Sequence, residues 1–185
     1  MSVRIGENRT KSAMRTLLLL RHAKSSWADP QLEDFERPLN SRGLEAASAL
    51  AAHFVVTNLQ PDLVLCSAAL RTRATLAGLL PAFAHDFQIS VENRLYLASA
   101  PKLLERLHEI EDDAACVLLI GHNPGLERLA RLLAGSGSPE KIEAMHSKFP
   151  TGALAVFEFD LSSWRDIGKA SGKLADYRVP ADLED

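Results

Sequence analysis

His22 and His122 each stand directly behind an apolar run: Leu17-Leu18-Leu19-Leu20 and Arg21 in the first case, Ala115 to Ile120 and Gly121 in the second. A third run, Asp62-Leu63-Val64-Leu65-Cys66, is followed shortly by Arg71. A neutral imidazole nitrogen is a competent nucleophile near pH 7, and a guanidinium presents a fixed fork of donors that matches a phosphoryl group. Brought together, Arg21, His22, Arg71 and His122 would surround a tetrahedral dianion. The cations would keep His22 unprotonated and neutralise charge on the transferring group. A covalent phosphohistidine would form and water would release it, a route that needs neither a nucleotide cradle nor a divalent metal. Any one of these residues alone begins an ordinary polar loop, so the chemistry depends on all four meeting.

Rival chemistries have less support. The chain has no Gly-x-x-x-x-Gly-Lys-Ser/Thr loop, no Gly-x-Ser-x-Gly elbow and no His-Glu-x-x-His helix, which argues against nucleotide, serine-esterase and zinc readings. The arginine spacing in Cys66-Ser67-Ala68-Ala69-Leu70-Arg71 does not suit a cysteine phosphatase, so Cys66 reads as a core thiol. His53, His85, His108 and His146 lack ligand spacing and read as surface or partly buried polar residues. No metal and no other cofactor is expected.

Elements must bring the four residues together. Short continuous apolar runs read as strands buried on both faces, and those at Thr16 to Leu20, Asp62 to Cys66, Ala115 to Ile120 and Ala153 to Phe159 are the strongest. Gln88 to Val91 is a weaker strand. Helical spacing follows from Ser41, with Ser41 as N-cap and Leu44, Ala47, Ala51, Phe54 and Val55 as the stripe. Further helices are expected over Ser67 to Leu80, Pro101 to Ile110 and Leu126 to Ala134. Residues 23–40 read as a long ordered loop, and 135–139 as a flexible connection. The remainder, with Trp164, Leu174 and Tyr177, has no clear pattern. Alternating strands and helices predict an α/β fold, a three-layer α/β/α sandwich with a mostly parallel central sheet. In such sheets ligands bind outside the carboxyl ends of the strands, where Arg21-His22, Cys66-Ser67 and Gly121-His122 would emerge.

At 185 residues, 46% hydrophobic and 24% charged, the chain suits one soluble domain over residues 16–185. Residues 1–15 are polar and basic and read as a flexible N-terminal extension. A net charge of -3 gives no overall attraction to nucleic acid, and no run is long enough to span a membrane. Two cysteines without redox or zinc spacing suit a reducing cytoplasm.

Four ordered blocks resemble the histidine phosphatase superfamily, also called phosphoglycerate-mutase-like, and its short SixA-type phosphohistidine phosphatase branch. Leu20-Arg21-His22-Ala23-Lys24-Ser25 resembles the Arg-His-Gly signature, with Ala23 in place of glycine. Asp34-Phe35-Glu36-Arg37-Pro38-Leu39-Asn40-Ser41-Arg42-Gly43 resembles the branch's Asp-x-x-Arg-Pro-Leu-x-x-Arg-Gly block. Ser67-Ala68-Ala69-Leu70-Arg71-Thr72-Arg73-Ala74-Thr75 is similar to the family's Ser-x-x-x-Arg-x-x-x-Thr helix start, and Ile120-Gly121-His122-Asn123-Pro124-Gly125-Leu126-Glu127 to its second histidine block. The resemblance implies His22 as the phosphorylated nucleophile and Arg21, Arg71 and His122 as the phosphate pocket. It implies Ser67 and Asn123 as supporting substrate-binding residues, and no metal.

At Leu97 relatives often carry a glutamate, at or near the superfamily's proton donor. Glu92 and Asp34 are the remaining candidate general acids. Arg37 and Arg42 are as well suited to anchoring the long loop as to ligand contact, and Lys24 reads as a solvated charge beside the pocket. A missing acid suits a P–N substrate, whose imidazole leaves readily, better than a phosphomonoester. The expected activity is therefore a metal-independent protein phosphohistidine phosphatase, its partner a phosphorylated protein. The alternatives are a phosphatase of small phosphorylated molecules and a non-catalytic phosphate-binding or interaction domain.

Overall fold

Leu17, Leu18, Leu19 and Leu20 are all fully buried, because strand alternation sends them into two different cores. Leu17 and Leu19 join one apolar cluster and Leu18 and Leu20 the other. In the computed structural model, which describes residues 14–183, they form part of β1 (Met14–Arg21). The other strands are β2 (Leu63–Ser67), β3 (Gln88–Glu92), β4 (Cys116–Gly121), β5 (Ala134–Gly137), β6 (Leu154–Asp160) and β7 (Gly172–Arg178). Together they make one sheet in the order β3-β2-β4-β1-β6-β7-β5, with β1 at its centre. Among these strands β6 alone runs against the rest, pairing antiparallel with β1 and β7. The other pairings are parallel, so the expected mostly parallel sheet is present.

Helices α1 (Ser41–Val56) and α2 (Leu70–Leu79) cover one face, burying Leu50, Phe54, Leu76 and Leu79 against Leu18 and Leu20. The opposite face is covered by α3 (Ala100–His108), α4 (Gly125–Leu133) and α5 (Pro139–Ser147), through Leu103, Leu107, Leu126, Leu129, Leu133 and Met145. The result is the three-layer sandwich that the alternating pattern implies.

Several sequence expectations change in detail. Most of the 1–15 extension lies outside the described residues, but Met14 and Arg15 belong to β1. Arg15 is buried, its Nη1 donating to the Ala114 carbonyl at 3.1 Å and its Nη2 pairing with Asp112 at 3.1 Å. These partners lie about a hundred residues away, so its basic character suggested an exposed tail. Asn40, not Ser41, caps α1, its side chain accepting from the Gly43 N–H at 2.9 Å. The helix turns Leu50 inward and leaves Leu44 and Val55 exposed. The 135–139 connection holds all but the first residue of the short edge strand β5 and the first residue of α5, because β7 supplies partners that local composition does not reveal.

Candidate active site

The register of three strands brings the site together. Arg21 pairs with Gly121 across β1 and β4, while Leu20 and Cys66 both pair with Ile120. The three strands therefore end level, and His22, Ser67 and His122 emerge along one edge. The His22 N–H donates to the Gly121 carbonyl at 3.1 Å. Behind it the Ala23 N–H donates to Thr75 Oγ at 3.0 Å, and Thr75 in turn donates to the Arg71 carbonyl at 2.7 Å. Thr75 thus ties the loop after β1 to the first turns of α2, where Arg71 sits.

Hydrogen-bond partners fix the state of both rings. His22 Nδ1 lies 2.8 Å from the Ala23 carbonyl, which can only accept, so its proton is on Nδ1. Its Nε2 keeps the lone pair and faces Arg71 Nε at 3.3 Å. On the other ring, Arg71 Nη2 lies 3.3 Å from His122 Nδ1. Arginine only donates, so neutral His122 carries its proton on Nε2 and donates it to Ser67 Oγ at 2.7 Å. The ring centroids are 5.1 Å apart, and one guanidinium addresses both.

A cleft of about 450 Å³ opens over this pair. Arg21 lines it, with Nη1 held by the Phe149 carbonyl at 2.8 Å, as do Arg37 and Asp34. The Asp34 carboxylate reaches Arg71 Nη2 and Arg37 Nη1, both at 2.9 Å, and accepts from the Tyr96 hydroxyl at 2.6 Å. Arg71 Nη1 also donates to the Asp34 carbonyl. Arg37 is further tied to Ser25 Oγ at 2.6 Å and lies under the Trp27 ring, 3.1 Å from its centroid.

The electrostatics follow from burial among cations. Burial, helped by Arg71 and Arg21, lowers His22 to about 4, and burial, helped by His22 and Arg71, lowers His122 to about 3. Both are neutral at pH 7, so His22 Nε2 is unprotonated, the state a nucleophilic imidazole requires, with its lone pair accepting from Arg71 Nε. Partial burial pushes the Asp34 carboxyl upward, but hydrogen bonds from Tyr96 and Arg71 outweigh it and hold Asp34 down at about 2. Burial drives the Cys66 thiol up to about 12, consistent with a core residue.

Arg21, His22, Arg71 and His122 therefore meet in one cleft, as the chemistry required. Ser67 is placed behind His122, fully buried, where it bonds the ring. Asn123 lies along the cleft with its amide nitrogen on the Phe149 carbonyl at 2.9 Å. Asp34 lines the cleft, whereas Glu92 lies outside the lining, at the end of β3. Although its partial burial acts upward, hydrogen bonds from Arg106, Arg94 and Ser90 hold Glu92 at about 2. Tyr96 and the exposed Trp27 were not singled out from the sequence as site residues. Arg37, for which the sequence leaves loop anchoring and ligand contact equally open, lines the cleft and also bonds the loop at Ser26 and Ser25.

Comparison with known proteins places this geometry in context. Residues 17–96 match the model of the histidine phosphatase superfamily, branch 1. An uncharacterized protein of Mycobacterium tuberculosis is 35% identical over 166 residues, 87% of this chain and 99% of its own length. A crystal structure from Agrobacterium tumefaciens, provisionally assigned as the phosphohistidine phosphatase SixA, is 30% identical, with a TM-score of 0.76 over 90% of this chain and 98% of its own. A structure from Nakamurella multipartitia with the same provisional assignment is 28% identical, with a TM-score of 0.79 over 92% and 98% of the two chains.

Proposed function

This chain belongs to the histidine phosphatase superfamily, and from that premise we propose that it removes phosphoryl groups from protein phosphohistidine through a covalent intermediate on His22. In the first step His22 Nε2 attacks phosphorus and the P–N bond to the substrate imidazole breaks. The leaving imidazole keeps the electron pair and takes a proton from solvent if it is not already protonated. Arg21 and Arg71 hold the phosphoryl oxygens as charge redistributes, and His122 adds a donor when its proton shifts from Nε2 to Nδ1 and Ser67 Oγ donates to Nε2 instead. Water then attacks the phosphoryl-His22 bond, releasing inorganic phosphate and restoring neutral His22. The Ala23 carbonyl stabilises the Nδ1 proton throughout.

The observation that carries the substrate choice is that the cleft's carboxylate is already ionised and clamped. Asp34 is held by Arg71, Arg37 and Tyr96, Glu92 lies outside the lining, and Leu97, which does line the cleft, has no proton to give. An alkoxide leaving group needs such a donor, and general acid catalysis contributes about 10²- to 10⁴-fold. An imidazole leaving group does not. A cytoplasmic setting belongs to the same reading, on the two free thiols. The test compares kcat/KM on a phosphohistidine peptide with that on an alkyl phosphomonoester, in chelator. The expected ratio favours the peptide by at least about 100-fold; equal or faster ester turnover makes the enzyme a phosphomonoesterase, and binding without turnover of either makes the domain non-catalytic.

A further inference from the structure

The phosphate cleft continues into a larger groove of about 590 Å³, with Lys24 and Thr151 lining both. Arg42, in the first turn of α1, and Lys148, just after α5, also line the groove. Lys24, Arg42 and Lys148 are all exposed. Among the described residues none of the three is in an ion pair. One carboxylate, Glu45, shares the lining, so the groove is locally cationic in a chain whose net charge is -3.

The rim of the cleft also carries apolar surface that the fold does not use. Trp27 is 79% exposed while stacked on Arg37, and Leu97 is 51% exposed and held at φ 49°. A leucine in that left-handed region is strained, and such strain persists where surrounding structure enforces it and is common at functional sites. Exposed aromatic side chains beside a pocket are a typical anchor of protein interfaces. Unpinned lysine and arginine stems suit broad charge steering rather than the rigid, bidentate grip expected of a small-molecule subsite.

We propose that this surface docks an acidic segment of the phosphohistidine-bearing protein, its carboxylates running along Lys24, Arg42 and Lys148 and its apolar side chains resting on Trp27 and Leu97. The inference rests on the phosphohistidine reading and adds the character of the partner. The target histidine is presented to His22 by a stretch rich in aspartate or glutamate, and association is steered by charge.

The probes are two synthetic phosphohistidine peptides that differ only in flanking residues, glutamate in one and glutamine in the other. Wild-type enzyme is expected to prefer the glutamate peptide roughly tenfold in kcat/KM, a preference that shrinks as ionic strength rises from about 0.01 M to about 0.15 M. The double variant Arg42→Glu, Lys148→Glu is expected to lose the preference while hydrolysing the glutamine peptide within about twofold of wild type. Absence of a preference in wild type, or a preference that survives in the variant, overturns the docking site. Hydrolysis of an alkyl ester but of neither peptide overturns the phosphohistidine reading and this inference with it.

Discussion

Arg71 has more partners than one guanidinium can keep once an oxyanion arrives. Its Nε faces His22, and its Nη2 is shared between His122 and Asp34. The Asp34 carboxylate thus uses donors that a phosphoryl dianion requires, and substrate must displace it. Replacing Asp34 with asparagine removes that competing charge. The Asp34→Asn variant is therefore expected to bind tungstate, a tetrahedral oxyanion, several-fold to about tenfold more tightly, measured as inhibition; weaker binding contradicts the competition. His22 as the proposed nucleophile has its own signature. With His22 lowered to about 4 by burial and neighbouring cations, kcat/KM is expected to show no acid limb near 6.5 and to fall only as pH approaches 4. His22 and His122 were legible because each closes an apolar run. Tyr96 was not, since nothing local marks a tyrosine that will meet an aspartate 62 residues away. The fate of Glu92 was equally hidden, being set by Arg106 on α3.

The loop after β1, which carries His22, is held in place where α1 presses against it. The Lys24 carbonyl accepts from the Asn40 N–H at 3.0 Å, and a Cβ on Gly43 would stand 2.1 Å from that same carbonyl oxygen. No side chain fits there without moving backbone two residues from His22. Gly43→Ala is expected to destabilise the protein by about 2–4 kcal/mol in urea and to lower activity. Gly168→Ala, where an added Cβ meets nothing within 4 Å, serves as the control; equal effects contradict the close packing. Elements were legible where burial was strong and local. β1 and β4 announce themselves by apolar runs buried on both faces. β5 and β7 do not, since Ala134-Gly135-Ser136-Gly137 becomes a strand only through pairing with Gly172 to Leu174. The face of α1 was half misread for a related reason, because an alanine-rich helix gives little contrast between sides and its packing partners decide which residues turn inward.

At the scale of the whole molecule, function places two neutral imidazoles inside the fold, with a predictable cost in acid. Both titrate below the ordinary value of 6.5, at about 4 for His22 and about 3 for His122. As pH falls below 6.5 the unfolded chain takes up protons that the folded chain refuses. Stability is thus complete above 6.5 and declines toward 4 and 3, by about 1.4 kcal/mol per pH unit for each histidine. The urea midpoint is expected to drop between pH 7 and pH 5, and His122→Asn to reduce that slope by roughly half; a slope unchanged by the substitution contradicts buried neutral rings. The central claim is that four residues from three distant segments form one phosphoryl-transfer site with His22 Nε2 as its nucleophile. Rapid quenching after mixing with a peptide radiolabelled in its phosphohistidine tests this directly. Acid-labile label is expected on wild-type protein at His22, decaying as phosphate appears, and none on His22→Ala. Equal labelling of that variant, or turnover by wild type with no labelled protein at any time, contradicts it.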